Sequence, residues 1–232
     1  MKILITGGSG LLGSNLIKIL EKEHEVLAPS SKHLDIRNLE SIDNYIHSFK
    51  PDVLIHCAAI AKFAEAENRP FDTININVKG TINVVQSCLL TNTRMVYIST
   101  SHVFDGEQGN YKSTDKVNPL SKYAKSKVAG EMVTLIYDNS LVIRTEFCEE
   151  TFPFDVAYTD KFSSKEYIDV IAPKIAEKCI SNQVGVCHVG GPRRSFYEFG
   201  KMRNPNVKAG SVKDLTSKSK VHILTDTSLI SD

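Results

Sequence analysis

The sequence predicts an α/β fold, a doubly wound parallel sheet with a small, reduced C-terminal lobe. Three observations predict it. Short apolar runs alternate with helical patterns over the first 189 residues. A glycine-rich turn, TGGSGLLG at 6–13, joins the first run to the first helix. Ser99, Thr100 and Ser101 follow the apolar run Met95 to Ile98, at the carboxyl edge of the sheet where open α/β folds place their ligands. Together these describe a Rossmann-type sheet with right-handed crossovers.

In chain order, strands are expected at Lys2 to Thr6, Glu25 to Ala28, Asp52 to His56, Met95 to Thr100, Ser140 to Arg144 and Val186 to Val189, in spatial order 3-2-1-4-5-6. Helices fall between them near Leu11 to Lys22, Leu39 to Phe49, Thr73 to Leu90, Ser121 to Tyr137, and Lys165 to Ser181 with a break at Pro173. Leu12, Leu16, Ile19 and Leu20 recur at i, i+4, i+7 and i+8, one apolar helix face. Pro119 stands before mostly good helix formers, with Gly130 the weak link. Ser195 and Glu198 form a capping-box pattern. The expected organisation is a dinucleotide-binding unit over 1–189 and a reduced substrate lobe over 190–232 packed on it, the end from Lys218 extended or partly disordered.

Composition narrows the function. With 232 residues, 41% of them hydrophobic, the chain can bury a substantial core. Net charge is +1, from 28 basic and 27 acidic residues, so no broad field draws it to nucleic acid or a membrane surface. No apolar run reaches the length of a membrane span. Cys57, Cys88, Cys148, Cys179 and Cys187 are odd in number and form no C-x-x-C pair, as expected of reduced cysteines in a cytoplasmic protein. Cys148 lacks the basic neighbour or helix start that would make a thiolate. His33, His56 and His102 share no metal-ligand spacing, so no metal is expected.

The chemistry lies in two motifs. Gly7, Gly10 and Gly13 open the first helix, where glycine lets backbone N–H groups approach a pyrophosphate and the helix N-terminus faces its charge. Tyr123 and Lys127, four residues apart, stand one turn apart on one helix face. An ammonium beside a phenol favours phenolate and would lower the pKa of Tyr123, making it an acid catalyst; an exposed tyrosine beside a solvated lysine has the same spacing. Thr100 stands ready to hydrogen-bond a carbonyl undergoing reduction. His102, two residues on, would share its face in an extended segment, either for a ligand hydroxyl or as a structural histidine. Asp105 and Gly106 read as turn chemistry. The second strand ends without a carboxylate, in Pro29, Ser30, Ser31 and Lys32. Two hydroxyls and a cation suit a 2′-phosphate and favour NADP(H), with NAD(H) possible and a solvated loop the plain alternative. Arg193 and Arg194 could grip a diphosphate or simply be solvated.

These residues resemble the extended short-chain dehydrogenase/reductase superfamily, and within it the dTDP-4-dehydrorhamnose reductase-like, sugar-nucleotide-binding family. The resemblance is carried by TGGSGLLG at 6–13, LDI at 34–36, PDVLIHCAA at 51–59, NVKGTINV at 77–84, STSHVFDG at 99–106, PLSKYAKSKVAGE at 119–131, VIRT at 142–145 and GPRRSFYEFGK at 191–201. It implies a catalytic trio of Thr100, Tyr123 and Lys127. It implies cofactor contacts from Gly7, Gly10, Gly13, Asp35, Ile36, Ala58 and Ala59, and with them Leu11, Leu12, Ser30, Ser31, Lys32, Tyr123 and Lys127 are expected to meet the cofactor. Substrate contacts are expected from His102, Val103, Phe104 and Arg193. Asn77 matches a position that supports the site in relatives, although an asparagine within a helix can simply bond nearby backbone.

The implied reaction is reduction of a 4-keto-6-deoxy sugar nucleotide, dTDP- or UDP-linked, by NADPH, as in dTDP-rhamnose biosynthesis. Two departures from the family pattern fall near the sugar. Ser101-His102 stands where reductases show Asp-Tyr, and Glu146-Phe147 where they show Ser-Trp; this chain has no tryptophan. A non-catalytic NADP-binding regulatory subunit, like methionine adenosyltransferase beta, and an epimerase or dehydratase remain alternatives. The Thr73 to Leu90 and Ser121 to Tyr137 helices resemble those that relatives pair across a two-fold axis, which implies a homodimer.

Overall fold

The computed structural model describes residues 1–215 and 223–231. Elements follow as β1 (Lys2–Thr6), α1 (Leu11–Leu20), β2 (Glu25–Leu27), α2 (Leu39–Phe49), β3 (Val53–His56), α3 (Phe63–Asn68), α4 (Pro70–Thr73), a π-helical turn (Ile74–Gly80), α5 (Thr81–Thr91), β4 (Arg94–Thr100), a 3-10 turn (Ser101–Val103), α6 (Lys122–Thr134) and β5 (Ser140–Thr145). After these come β6 (Phe147–Cys148), β7 (Val156–Tyr158), β8 (Phe162–Ser163), β9 (Glu166–Tyr167), α7 (Ile168–Ile180), β10 (Gly185–Val189), β11 (Arg194–Ser195), α8 (Phe196–Lys201) and β12 (Lys208–Gly210).

Six strands form the parallel central sheet in the order β10-β5-β4-β3-β1-β2. Counting these six strands in chain order, that is 2-1-3-4-5-6 rather than the expected 3-2-1-4-5-6. The reason lies in burial: all four residues of Val53–His56 are buried, which demands neighbours on both edges and helices on both faces. Three-residue β2, half-exposed, suits the edge. The chain therefore reverses direction across the sheet between β1 and β3, and the carboxyl ends there open a crevice.

Alternation along the strands splits the core into two layers. Ile3, Ile5, Val53, Ile55, Val96 and Ile143 face α1 and α7, whereas Leu4, Leu54, Met95, Tyr97 and Val142 face α2, α5 and α6. Helix α7 runs unbroken through Pro173, contrary to the expected break. The missing N–H removes one hydrogen bond, while Ile171, Ala172, Ile175 and Ala176 stay buried against the sheet and hold the helix. Gly130 in α6 is explained by packing. A Cβ there would stand 2.2 Å from the Tyr97 hydroxyl, so glycine lets the Tyr97 ring slide beneath the helix.

The small lobe draws on both sides of α7. Strand β7 pairs with β12 and β8 with β11, joining 156–163 to 194–210, while β6 pairs with β9. Its own core is Phe152, Ala157, Tyr167, Phe199 and Val207. Ser195 and Glu198 close the expected capping box on α8. Of the tail expected to be extended or disordered from Lys218, residues 218–222 lie outside the described residues. Residues 225–230 are docked: Asp226 and Leu229 bridge to Phe162 and Tyr111, and Asp226 to Leu229 are buried.

Candidate active site

The dinucleotide crevice begins at the glycine turn. Gly7 has φ of 74°, and a Cβ there would lie 2.6 Å from the Ala58 nitrogen; a Cβ on Gly13 would lie 2.3 Å from the Gly7 carbonyl. Glycine at both lets α1 start against the β1 and β3 ends. Gly10 caps α1 without a side chain, and the first turn carries no acid, so the helix N-terminus presents bare N–H groups. This is the cradle a pyrophosphate requires.

Two cavities meet at this turn. The first, about 390 Å³, is lined by Gly7 to Gly10, Ser31, Asp35, Ile36, Arg37, Ala58 and Ala59 among others. It has the form of an adenosine site. Ser30 and Lys32, expected here, do not line it; Ser30 turns to His33 Nδ1 at 3.2 Å. The backbone from 30 to 34 curls into a turn closed by Ser30 O, accepting from His33 and Leu34, and only Ser31 of the three faces the cavity. The cation present instead is Arg37, not singled out from the sequence although it directly follows Leu34-Asp35-Ile36. Its Nη2 lies 2.7 Å from Asp35 Oδ2 and its Nε 2.9 Å from Asp35 Oδ1. The Arg37 hydrogen bonds, outweighing burial, hold the Asp35 carboxyl below its ordinary range.

The second cavity, about 300 Å³, brings together Gly7, Gly10, Leu11, Leu12, Gly13, Thr100, His102, Tyr123 and Lys127 with Phe63, Thr145, Glu146, Phe147 and Lys165. Thr100 ends β4, and Tyr123 lies in the first turn of α6, capped by Ser121. The Tyr123 phenol faces this cavity with the Thr100 hydroxyl, which favours the phenolate. Its pKa is not lowered, as the spacing led one to expect, but pushed up to about 12. Burial dominates, the Glu146 charge adds to it, and the Thr100 hydroxyl only partly opposes. Lys127 is 3% exposed, its Nζ 3.9 Å from the centre of the Tyr97 ring. Burial lowers its pKa to about 7, against the pull of Glu131 and Cys57.

A polar scaffold fixes these groups from behind. Asn77 sits in the π-helical turn; its side chain accepts from Ile60 N at 2.8 Å and donates to Ile60 O at 3.1 Å and Ser126 Oγ at 2.9 Å. Ser126 Oγ donates to Tyr123 O at 2.7 Å. The asparagine thus ties the α6 turn bearing Tyr123 to the segment after β3. His56 bridges Thr6 Oγ1 at 2.6 Å and Thr81 Oγ1 at 3.1 Å. Thr81 Oγ1 donates to Asn77 O, so the network assigns the imidazole proton to Nε2. Burial and the nearby Lys127 bring His56 down to about 3, a neutral strut.

The two departures from the family pattern meet here. Glu146 Oε2 accepts from Ser101 Oγ at 2.8 Å and Thr227 Oγ1 at 3.2 Å, and Oε1 lies 3.2 Å from Lys165 Nζ and 3.7 Å from His102 Nε2. Burial alone would raise its pKa; Lys165, His102 and Ser101 together hold it well below the usual carboxylate range. Phe63 sets its ring edge against both Tyr123, at 5.1 Å, and His102, at 4.7 Å. Phe63 and Lys165 reach the site from two further segments with no motif to announce them, whereas the departure at Glu146 had already marked that position as near the sugar.

Other expected contacts lie elsewhere. Val103 and Phe104 are fully buried, packed with Tyr111 and Leu229, because the 3-10 turn after Thr100 ends the extended backbone and rotates them into the core. Arg193 does not line the cavity. Its Nε donates to Asp226 Oδ2 at 2.8 Å and its guanidinium covers Phe162, making it a clasp for the C-terminal segment. His102 keeps a place in the cavity, but through that turn rather than a shared strand face.

A family model described as the RmlD substrate binding domain matches residues 1–200. The chain belongs to this family. It is 33% identical over 224 residues to the dTDP-4-dehydrorhamnose reductase of Aggregatibacter actinomycetemcomitans, a match covering 85% of this chain and 76% of that protein. It is 31% identical over 142 residues to bovine methionine adenosyltransferase 2 subunit beta, covering 58% of this chain but 42% of that one. A solved Bacillus anthracis dTDP-4-dehydrorhamnose reductase in complex with NADP superposes with a TM-score of 0.87 at 24% identity, covering 100% of this chain and 90% of that one, a likeness of fold.

Proposed function

We propose that the protein reduces a 4-keto-6-deoxy sugar nucleotide with NADPH. The observation that carries this reading is the convergence of Thr100, Tyr123 and Lys127 in one cavity with the bare N-terminus of α1. A relative that matches 85% of the chain is a dTDP-4-dehydrorhamnose reductase, and the B. anthracis fold neighbour holds NADP.

In this reading Gly7, Gly10 and Gly13 accept the pyrophosphate, and Asp35, Ile36 and Arg37 line the adenosine end. The nicotinamide, when bound, supplies hydride. Thr100 orients the ketone oxygen. Tyr123, held protonated by burial and Glu146, donates its phenolic proton as that oxygen gains charge, a transfer favoured because an alkoxide is more basic than a phenolate. Lys127 holds the ribose, and Asn77 with Ser126 keeps Tyr123 in register. Segments 146–167, 190–215 and 223–231 form the substrate lobe, and cysteines without a C-x-x-C pair fit a cytoplasmic protein.

The test is NADPH oxidation with dTDP- and UDP-4-keto-6-deoxyhexose generated in situ, with turnover expected for one of them. Tight NADPH binding without turnover would instead favour a regulatory subunit, the reading supported by the match to methionine adenosyltransferase 2 subunit beta. A homodimer is part of the proposal. Phe71, Ile74 and Leu90 on the α4 to α5 run, and Met132 and Ile136 on and just after α6, are large exposed apolar side chains, and Ile74 lines a groove with Pro70, Val78 and Ala129. Light scattering should give twice the chain mass.

A further inference from the structure

Buried hydroxyls around the reaction cavity are almost all spent within the protein. Thr6 and Thr81 hold His56, Ser99 donates to Glu131, Ser101 to Glu146, Ser126 to Tyr123 O and Thr134 to Gly130 O. Among the described residues Thr145 is the exception. It is 2% exposed, lines the cavity, and its Oγ1 has no hydrogen-bond partner among them. A buried hydroxyl left unpaired is a net cost that valine, the same shape without the oxygen, would not carry.

Its position says what the cost serves. Thr145 ends β5 and is the residue directly paired with Thr100 in the parallel register. Paired residues of adjacent strands project to the same sheet face about 4.8 Å apart, so the Thr145 hydroxyl stands one strand away from the hydroxyl that meets the carbonyl. His102, in the turn just beyond Thr100, carries a second buried atom, Nδ1, without a partner among the described residues, in the same cavity. Glu146 is already occupied by Ser101, Thr227 and Lys165 and does not turn to Thr145.

Resting on the reductase reading above, we propose that Thr145 is a specificity-determining group whose Oγ1 hydrogen-bonds a hydroxyl on a carbon next to the reacting carbonyl. The preferred substrate is therefore an α-hydroxy ketone, a keto-sugar nucleotide that keeps this hydroxyl, and its deoxy counterpart is rejected because Thr145 then stays unpaired.

The test titrates the NADP⁺-loaded protein by calorimetry with a dTDP-4-keto-6-deoxyhexose and with the same sugar lacking the hydroxyl at carbon 3, for wild type, Thr145→Val and Thr145→Ser. Wild type is expected to favour the hydroxylated sugar at least about tenfold. Thr145→Val should bring the ratio to within about twofold, bind NADPH as before, and unfold at an unchanged or higher temperature, because it removes an unpaired buried oxygen. Thr145→Ser should keep the discrimination. A Thr145→Val protein that unfolds earlier with its discrimination intact overturns the proposal and makes the hydroxyl structural. Equal binding of both sugars by wild type overturns it while leaving the reductase reading standing; binding of neither, nor of their UDP-linked counterparts, with NADPH still bound, overturns both.

Discussion

The cofactor half of the crevice and the substrate half are built differently. At the cofactor half, neighbours in sequence are neighbours in space: Gly7 to Gly13, Asp35 to Arg37 and Cys57 to Ala59 are three short loops at the ends of adjacent strands β1, β2 and β3. The substrate half gathers Phe63, His102, Thr145, Glu146 and Lys165 onto one cavity, and Thr227 reaches the same carboxylate from near the chain's end. Backbone groups and glycine geometry make the first half, so it tolerates little variation. Side-chain pairs from distant segments make the second, and it can change by exchanging partners, as Ser101 with Glu146 has done.

The largest test of this contrast is Tyr123→Phe. It removes only the transferred proton and should lower turnover by about 10²-fold or more, with NADPH affinity nearly unchanged, in steady-state kinetics beside a fluorescence titration. Full activity would remove Tyr123 from the chemistry.

Next comes Asp226→Ala, which strikes the substrate half from outside the cavity. Asp226 accepts from Arg193 Nε at 2.8 Å, Ser228 Oγ at 2.6 Å and Ser228 N at 3.1 Å. Its loss should cost about 2 kcal/mol in denaturant unfolding and raise KM for the sugar, leaving NADPH binding intact. An equal loss of NADPH affinity would show that the two halves are one coupled unit.

A smaller effect should separate Arg37 from Lys32. Arg37→Ala is expected to weaken NADPH about tenfold and NADH within about twofold, since only NADPH offers a 2′-phosphate to the guanidinium. Lys32→Ala should change neither, because Lys32 does not line the cavity. The reverse pattern would restore the loop at 30–32 as the phosphate site.

The smallest expected signal is a proton. Burial holds Lys127 at about 7 in the free protein. Hydrogen bonding to a cofactor ribose near phosphate charge favours the ammonium and raises that value. Between the free and bound pKa values, binding takes up part of a proton, and affinity falls as pH rises above about 7. Calorimetry at pH 8 in two buffers of different ionisation enthalpy should show the uptake; none would mean that Lys127 does not change its charge.

Much was legible in the sequence because it is local. A glycine at positive φ, an apolar run of strand length and a tyrosine four residues before a lysine depend only on neighbours along the chain. Six strands, five main helices, the capping box and the meeting of Thr100, Tyr123 and Lys127 follow from such patterns. Tertiary structure decided what depends on burial and on distant partners. The sheet order turned on β3 being flanked by β1 and β4 on both edges. Tyr123 is pushed up to about 12 rather than lowered, because desolvation outweighs a lysine whose charge sits over Tyr97. Val103, Phe104 and Arg193 went to the core and the C-terminal clasp, and Phe63, Arg37 and Lys165 came to the site in their place, because only the closed chain sets which side chains lose water together.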